Sequence, residues 1–310
     1  MSSDRVTIIY NPSAGSRKNR FPLVSWFLGV SHRKLNKGLV DYVNDLTYEL
    51  EKIGRLVVIK PTKHSGHARA IASAVEIGII IGIGGDGTLN EIVNGLGANS
   101  KISLCPIPLG TANVLGVELN LGHSIPKIVA SIKSGEKVLM DLGSVNDEYF
   151  LTMASIGLDA YITKQMTSTL KNKFGVFSYI FLALKTLPRY TFKRVFFQMD
   201  DEDTIHETYY LIVGNTKFYG GGLEMFEGAR IDDGYFDICM IKSKRLIDMI
   251  MFIVGLKVKS KKLPNFIEYK RCKSLTVLND DSHVQIDGDY LGTSKSIMTL
   301  TEKAVSVITH

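Results

Sequence analysis

Cysteine is scarce in this chain, and no apolar run is long. The three cysteines, Cys105, Cys239 and Cys272, are an odd number at wide spacing, without the paired spacing of metal ligands. This argues against a disulfide framework and a thiolate zinc site, and it favours a reducing compartment. The longest apolar runs, such as residues 247–256, are too short to span a bilayer, and the first residues contain no apolar segment of a signal peptide. We therefore expect a cytoplasmic protein that is soluble or associates peripherally with a membrane.

Long blocks of like charge are also absent, because no run of five residues carries one sign. The chain has 37 Lys and Arg against 31 Asp and Glu, a net charge of +6 and a pI of about 9.0. This basic excess favours an anionic partner such as a nucleotide, a nucleic acid or an anionic membrane surface, although a solvated basic exterior explains any single cluster equally well. A length of 310 residues, with 45% hydrophobic and 22% charged residues, favours a globular protein of two domains.

Strand-like and helix-like segments alternate in the first part of the chain. The strands are apolar throughout, and the helices place apolar residues three and four positions apart. The predicted strands cover residues 6–10, 55–60, 79–83 and 102–108, and the predicted helices cover 39–53, 67–75, 89–96 and a segment from Asn113. This alternation indicates a parallel sheet covered on both faces. We predict that residues 1–143 form an open, Rossmann-like α/β domain.

After Asp141, strand-like segments follow one another mostly without helices. These segments cover residues 137–143, 148–154, 194–199, 208–213, 235–241 and 274–278. We predict an antiparallel β-sandwich over residues 144–295, with helical inserts near 170–187 and 244–258. Two strand-like segments in the tail, 296–301 and 304–309, can close back on either domain, and we assign residues 296–310 to the first.

A glycine-rich stretch, Ile-Gly-Gly-Asp-Gly-Thr-Leu-Asn-Glu-Ile at residues 83–92, directly follows a predicted strand. Glycine lets the backbone approach a phosphate group, and the N–H groups at the start of the next helix attract anions. Three further loops, at residues 11–16, 62–68 and 108–113, each place glycine with Ser, Thr or Asn just after a strand. One such loop is equally well explained by a tight turn without a ligand, but four at one sheet edge predict a nucleotide site. The pattern matches neither the GxxxxGK[ST] P-loop nor the GxGxxG fingerprint.

Six separated motifs together resemble a known family. In chain order they are Asn-Pro-Ser-Ala-Gly at 11–15, Thr62 with Gly-His-Ala at 66–68, Gly-Gly-Asp-Gly-Thr-Leu-Asn-Glu at 84–91, Pro-Leu-Gly-Thr-Ala-Asn at 108–113, Arg-Ile-Asp-Asp-Gly-Tyr-Phe-Asp at 230–237 and Ile-Asp-Gly-Asp at 286–289. The chain is similar to the diacylglycerol kinase catalytic-domain family, and more narrowly to the bacterial diacylglycerol kinases and YegS-like lipid kinases, which are related to sphingosine and ceramide kinases. The resemblance implies an ATP-dependent kinase that phosphorylates a lipid hydroxyl. It also implies an NAD kinase-like nucleotide domain followed by a β-sandwich that carries the lipid cleft.

The resemblance implies an ATP site in the first domain. Its expected residues are Asn11, Pro12, Ser13, Ala14, Gly15, Thr62, Gly66, Gly85, Asp86, Gly87, Thr88, Leu89, Asn90, Glu91 and Thr111. No lysine lies in the glycine-rich stretch, so Mg²⁺ and backbone dipoles must balance more of the phosphate charge. Asp86 suits that metal-binding, catalytic role, and a helix N-cap is the alternative interpretation of this residue.

Two sites in the second domain also follow from the resemblance. Bacterial family members bind a structural Mg²⁺ through one aspartate and two carbonyl groups, which here are Asp233 with the carbonyls of Arg230 and Tyr235; an ordinary Asp-Asp-Gly turn is the alternative. The family usually has Asp-Gly-Glu near its end, whereas this chain has Asp287-Gly288-Asp289. We expect Asp289 to act as the catalytic base with the help of Asp287, although its carboxylate is one methylene shorter than that of glutamate.

A membrane-lipid substrate requires contact with a bilayer, and we expect peripheral contact with an anionic membrane surface and no nucleic acid partner. Residues 17–34 and 174–184 combine apolar side chains with basic ends, as interfacial segments do. Core packing explains 174–184 equally well, so residues 17–34 are the better candidate. The preferred substrate is diacylglycerol or a related lipid, and a sphingoid base or ceramide is the alternative. An NAD kinase and a catalytically silent lipid- or nucleotide-binding protein are further alternatives. The oligomeric state stays open, with a homodimer as one alternative.

Overall fold

The computed structural model of the protein describes residues 4–15, 35, 38–98, 101–166, 170, 177–186, 190–220, 222–258, 264–293 and 295–310. The described residues divide into two compact units. The first contains those up to Leu142 together with Thr301–His310, and the second contains those from Gly143 to Leu300.

The first unit is built on a parallel sheet. Its strands lie in the order β2-β1-β3-β4, and the last part of β18 runs parallel to β4. The strands are β1 (Arg5–Tyr10), β2 (Leu56–Pro61), β3 (Ile79–Gly84), β4 (Ser103–Pro108) and β18 (Ser296–Ile308). The helices are α1 (Leu39–Lys52), α2 (His67–Ser73), α3 (Asp86–Leu96), α4 (Val114–Glu118) and α5 (Ile125–Ser134).

The core of the first unit follows the predicted periodicities. All six residues of β3 are buried, as expected for a central parallel strand that is covered on both faces. Helix α1 buries Val43, Leu46 and Leu50 on one face, and Gly54 follows it with a φ of 80°, the left-handed conformation that commonly ends a helix. The predicted open α/β fold of this part of the chain is confirmed.

The second unit contains two antiparallel arrays of strands. One has the order β14-β13-β10-β7-β16-β17, and the other pairs the first part of β18 with β15, then β8 and β9. A hairpin of β6 with the last three residues of β5, and a short pair, β11 and β12, complete the strands. Their bounds are β5 (Lys137–Val145), β6 (Glu148–Phe150), β7 (Met153–Ile156), β8 (Val195–Met199), β9 (His206–Thr208), β10 (Tyr210–Gly214), β11 (Phe218–Tyr219), β12 (Leu223–Glu224), β13 (Phe236–Ile241), β14 (Ile267–Cys272), β15 (Ser274–Val277), β16 (His283–Ile286) and β17 (Asp289–Thr293).

Side chains from both arrays meet in one core. Phe150, Phe197 and Phe236 are fully buried there, with Val213 and Met298 among their neighbours. Strands of both arrays therefore bury one face against a shared apolar layer, which is the arrangement of a β-sandwich. The predicted fold of this part of the chain is confirmed.

Three helices of the second unit are described: α6 (Leu158–Lys164), α7 (Phe177–Thr186) and α8 (Leu246–Lys257). Helices α7 and α8 lie where inserts were predicted, whereas α6 was not predicted because seven residues give too short a periodic signal. The prediction of a single strand over 148–154 is wrong, since β6 and β7 are separated at Leu151 and Thr152. None of the described helices combines the length and the hydropathy that crossing a bilayer requires.

Candidate active site

Four loops leave the parallel sheet at the carboxyl ends of β1 to β4. Tyr10 pairs with both Pro61 and Ile83, and Gly84 pairs with Pro108, so the four strands end at one level. Backbone hydrogen bonds then join the loops to one another. They are Asn11 N–H to the Ile83 carbonyl (3.1 Å), Thr62 N–H to that of Tyr10 (2.9 Å), Leu109 N–H to that of Gly84 (2.7 Å) and Gly15 N–H to that of Leu109 (3.0 Å). The loops that the sequence indicated as a nucleotide site therefore lie at the same edge.

The loops after β3 and β4 are in van der Waals contact through glycine. A Cβ atom on Gly110 would lie 2.3 Å from the Cα of Gly85, and a Cβ on Gly85 would lie 3.0 Å from the Cα of Gly110. The first distance is too short for any side chain. The absence of side chains at these two positions allows the backbones to meet, which presents bare peptide groups at the sheet edge.

Helix α3 begins in the middle of the glycine-rich stretch. Asp86 is its first residue, and Gly85 occupies the N-cap position without a side-chain capping bond. The alternative in which Asp86 itself is the N-cap is therefore wrong. The positive end of the helix dipole and an acidic side chain lie together at the edge of the sheet, which suits an anion that is bound with a cation. Leu89 is 1% exposed, so only its backbone can contribute to a site.

Glu91 has a local structural role that the sequence did not reveal. One carboxylate oxygen accepts the N–H of Gly66 at 2.8 Å, and the other accepts the N–H of Ala68 at 3.0 Å. Gly66 is the N-cap of α2 and has a φ of 79°. Glu91 thus fixes the loop after β2 to helix α3, so its contribution to a nucleotide site would be to position Thr62 and the following backbone.

The loop after β4 closes on itself through Asn113, which was not among the expected site residues. The Asn113 side chain accepts the N–H of Gly110 at 2.7 Å and donates to the Gly110 carbonyl at 3.0 Å. Asn113 is 3% exposed and has a φ of 51°, a conformation that asparagine tolerates well. This pair of bonds holds Gly110 against Gly85 and sets the position of Thr111. The sequence feature that could have indicated this role of Asn113 is its position three residues after Gly110 in the 108–113 motif.

The loop after β1 is shaped by its asparagine. The Asn11 side chain accepts the N–H of Ser13 at 2.9 Å, and its carbonyl accepts the N–H of Ala14 at 2.9 Å. Such a side-chain turn is a common use of asparagine at the end of a strand. Pro12 and Ser13 are exposed, and Gly15 has a φ of 71°.

In the second unit, Asp287 and Gly288 form a two-residue hairpin turn. Ile286 pairs with Asp289, and the two turn residues have φ values of 46° and 83°. A two-residue turn with positive φ at both positions has a strong preference for Asp-Gly or Asn-Gly. The hairpin was not predicted, although Asp-Gly between two strand-like segments is a signal for it. Asp289 begins β17 with an exposed side chain.

The Asp287 carboxylate is engaged by the backbone between β6 and β7. It accepts the N–H groups of Leu151 (2.7 Å), Thr152 (2.9 Å) and Met153 (3.2 Å), as well as the Thr152 hydroxyl (2.6 Å). These bonds replace the ladder bonds that a continuous strand would make. Asp287 is therefore an anchor for the turn, and it explains why the predicted strand over 148–154 is interrupted.

A buried polar network lies behind the same turn. Gln285, which is 0% exposed, accepts the N–H of Gly288 at 2.8 Å and donates to Ser155 Oγ at 2.8 Å and to Asp159 at 3.2 Å. Burial raises the pKa of Asp159, although hydrogen bonds from Ser155, Tyr219 and Gln285 oppose the shift. Sequence reasoning missed this network because its members are up to 130 residues apart.

The residues expected to bind a structural metal lie on one turn. Asp233 accepts the N–H of Tyr235 at 3.2 Å, and Arg271 donates to its other oxygen at 2.5 Å. Arg271 also lies 3.3 Å from Asp237 and 4.8 Å from the Tyr235 ring, while Arg230 pairs with Asp232 at 3.0 Å. Within the described part of the chain, no group of three or more His, Cys, Asp or Glu residues could hold a metal ion. Arg271 is thus one partner of the Asp233 carboxylate, and the magnesium site, which would also use the carbonyl groups of Arg230 and Tyr235, stays a prediction.

We expect the Arg271→Gln variant to be about 1 kcal/mol less stable than the wild type at pH 7.5, an effect limited by the 46% exposure of the Arg271 side chain. Burial raises the pKa of Asp237 to about 6, Arg271 opposes this, and Asp233 adds to it. Because the folded pKa exceeds the unfolded value, the contribution of Asp237 to wild-type stability falls as the pH rises from about 4 to about 6. Without Arg271 this loss should be larger and should extend above pH 6, so the two proteins should differ least near pH 4.5.

Urea unfolding at both pH values, with EDTA or with Mg²⁺, tests this expectation. Arg194→Gln is the matched control, because Arg194 forms an exposed pair with Glu207 at 2.8 Å and lies away from the turn. The metal site would be established if EDTA lowers the stability of the wild type at pH 7.5 and Mg²⁺ restores it. A variant without Asp233 should then show no such restoration.

The two segments expected at a membrane are described only in small part. Residues 17–34 lie outside the described residues. Of residues 174–184, those from Phe177 onward belong to α7, where Phe181 is 52% exposed and Leu182 is buried. Leu182 belongs to a second apolar cluster of its unit, whose buried members are Leu158, Ile162, Leu182, Tyr210, Ile212, Met225, Phe226, Ala229, Cys239, Ile241, Phe252 and Ile267. Neither segment has a membrane role that the structure tests.

Comparisons with known proteins cover nearly the whole chain. A family model of the diacylglycerol kinase catalytic domain matches residues 34–145, and one of the YegS C-terminal NAD kinase beta sandwich-like domain matches residues 152–309. The diacylglycerol kinase of Staphylococcus carnosus (strain TM300) is 30% identical over 299 residues, which cover 93% of this chain and 89% of that protein. That of Staphylococcus saprophyticus is 29% identical over 297 residues and covers 93% and 90%.

A solved structure shares the fold. The crystal structure of a diacylglycerol kinase from Bacillus anthracis str. Sterne has a TM-score of 0.69 and 23% identity, and the match covers 99% of this chain and 97% of that one. The predicted combination of a Rossmann-like unit and a β-sandwich is thereby confirmed.

Proposed function

This chain belongs to the diacylglycerol kinase family of lipid kinases, and on that premise we propose that it transfers the γ-phosphate of ATP to a hydroxyl group of diacylglycerol or a closely related membrane lipid. The observation that supports ATP as the donor is the contact between Gly85 and Gly110 within four backbone loops at one sheet edge. Bare peptide groups and a helix N-terminus are what a polyphosphate binds.

Asp86 is the proposed ligand of the Mg²⁺ that accompanies ATP. Its carboxylate is an oxygen donor of the type that Mg²⁺ prefers, and it lies in the first turn of α3 beside the glycine loops. When bound, the metal would neutralise negative charge on the phosphates during transfer. The glycine-rich stretch from Gly84 to Glu91 contains no lysine or arginine that could take over this task.

Asp289 is the proposed acceptor of the proton from the lipid hydroxyl. Its side chain is exposed at the start of β17, directly after a turn that Asp287 anchors and Gln285 supports from behind. Such support would hold the Asp289 backbone in one position, as general base catalysis requires. In this proposal Asp287 is a positioning residue and does not itself touch the substrate.

A phosphoryl-transfer assay with radiolabelled ATP, Mg²⁺ and mixed lipid micelles tests the function. Diacylglycerol, a ceramide, a sphingoid base and NAD are offered separately as acceptors. We expect label in phosphatidic acid, and transfer mainly to ceramide or the sphingoid base would change the substrate. Transfer to NAD, or ATP binding without transfer to any acceptor, would overturn the proposal.

A further inference from the structure

Helix α8, with its C-cap residue Val258, is apolar on both faces. On one face, Met249, Phe252 and Leu256 pack into the second apolar cluster of the unit, and Phe252 is 5% exposed. A helix that is apolar all round is normally buried all round. The opposite face of α8 does not follow this rule.

Four apolar side chains form a stripe on that opposite face. They are Ile247 (56% exposed), Met251 (50%), Val254 (42%) and Val258 (68%), and they are named here the α8 stripe. Their spacing of four, three and four residues places them along one line of a helix. Four exposed apolar side chains next to one another form an apolar patch on the helix, and such a patch is typical of a contact surface.

The charged residues that flank the α8 stripe along the chain are basic. Lys244 and Arg245 precede the helix, and Lys257 ends it. The only acidic residue between 244 and 258 is Asp248, which is 1% exposed and bonded to Arg245 and Ser243. The stripe thus has basic residues at both ends of its helix, and residues 244–258 contribute no exposed carboxylate.

We propose that the α8 stripe is the surface by which the protein docks on an anionic lipid bilayer, an inference that rests on the proposed lipid-kinase function. Apolar side chains would enter the headgroup boundary, and the lysines at both ends would contact anionic headgroups, with the helix lying in the plane of the membrane. A second copy of the chain is a poorer partner, because pairing two such helices brings cationic ends together.

Vesicle flotation tests the docking surface without requiring catalysis. Wild-type protein should partition onto phosphatidylcholine vesicles that contain phosphatidylglycerol and bind pure phosphatidylcholine weakly. The double variant Met251→Glu/Val254→Glu should bind the anionic vesicles at least about tenfold more weakly, because it places two carboxylates in the stripe. Ile205→Glu is the matched control, since Ile205 is 59% exposed on the same unit but outside the stripe, and its binding should be unchanged.

Two further variants keep the test decisive if the double variant folds poorly. Val258→Glu changes the most exposed residue of the stripe at the end of the helix. Lys244→Gln with Lys257→Gln keeps the stripe apolar and should weaken binding to anionic vesicles about fivefold per lysine, with a smaller dependence on salt. Circular dichroism and thermal melting of each variant identify any that does not fold.

Activity on a dispersed short-chain diacylglycerol separates this proposal from the proposed function. The double variant should phosphorylate the dispersed substrate as the wild type does and lose activity only on vesicles. If neither the wild type nor any variant phosphorylates a lipid, the proposed function is wrong. The flotation result still shows whether the α8 stripe binds vesicles. Two results would overturn the docking proposal. In the first, the folded variants bind anionic vesicles as strongly as the wild type does. In the second, the wild type is a dimer that Met251→Glu/Val254→Glu dissociates, with no change in vesicle binding.

Discussion

Replacing Asp86 with asparagine is expected to lower the rate of phosphoryl transfer about 10³-fold or more while the protein stays folded. The substitution preserves the shape of the side chain and removes only its charge, which is the property that a magnesium ligand needs. Loss of one preorganised charge at a phosphoryl-transfer centre has costs of this size. Since Gly85 and not Asp86 is the N-cap, helix α3 keeps its cap and loses a favourable dipole interaction of about 0.3–1 kcal/mol.

The measurement is kcat and KM for ATP over a range of Mg²⁺ concentrations, together with the free energy of unfolding in urea. Asp41→Asn is the matched control, because Asp41 is exposed in the first turn of α1 and should lose only the same dipole interaction. It should keep full activity. If Asp86→Asn retains near-normal kcat at saturating Mg²⁺, the charge of Asp86 has no part in transfer and the metal must be held elsewhere.

The features that sequence reasoning predicted well depend on residues near one another in the chain. The alternation of apolar strands with helices is readable within windows of about 15 residues, and the glycine loops stand directly after those strands. Parallel pairing then brings the loops to one edge without further information. The contact of Gly85 with Gly110 and the closure of the last loop by Asn113 extend this pattern, but they required atomic distances.

The features that were missed depend on partners far apart in the chain. Glu91 reaches Gly66 across 25 residues, and Asp287 reaches Leu151 across 136. In both cases the carboxylate of an expected site residue accepts hydrogen bonds from backbone N–H groups of a loop that is distant in the chain. At the 230–235 turn, Asp233 pairs with Arg271, 38 residues further along the chain. An acidic residue in a motif therefore predicts a carboxylate that contacts cations or hydrogen-bond donors. Which of these partners it contacts depends on the tertiary structure.

Substitutions of the two aspartates in the last hairpin are expected to have different effects, because Asp287 is structural and Asp289 is the proposed base. Asp287→Ala should lower the free energy of unfolding by about 3 kcal/mol, because three backbone N–H groups and a hydroxyl lose a charged acceptor. Alanine is also disfavoured at the φ of 46° that residue 287 adopts. Asp289→Ala should change stability by less than about 0.5 kcal/mol, because the side chain is exposed on an edge strand.

Activity should follow the opposite pattern. Asp289→Ala should lower kcat about 10²-fold or more, because the base is lost. Asp289→Glu should retain or raise kcat, because the glutamate side chain has the additional methylene group that the family usually has at this position. Asp287→Ala should also lower kcat, because the turn that positions Asp289 loses its anchor. Asparagine tolerates a positive φ and keeps one acceptor oxygen, so Asp287→Asn should be more stable and more active than Asp287→Ala. Urea unfolding and kcat measured on all four proteins decide the matter. A folded Asp289→Ala protein with wild-type kcat would move the base away from this hairpin, because no other carboxylate of the Asp-Gly-Asp turn is exposed to meet a lipid hydroxyl.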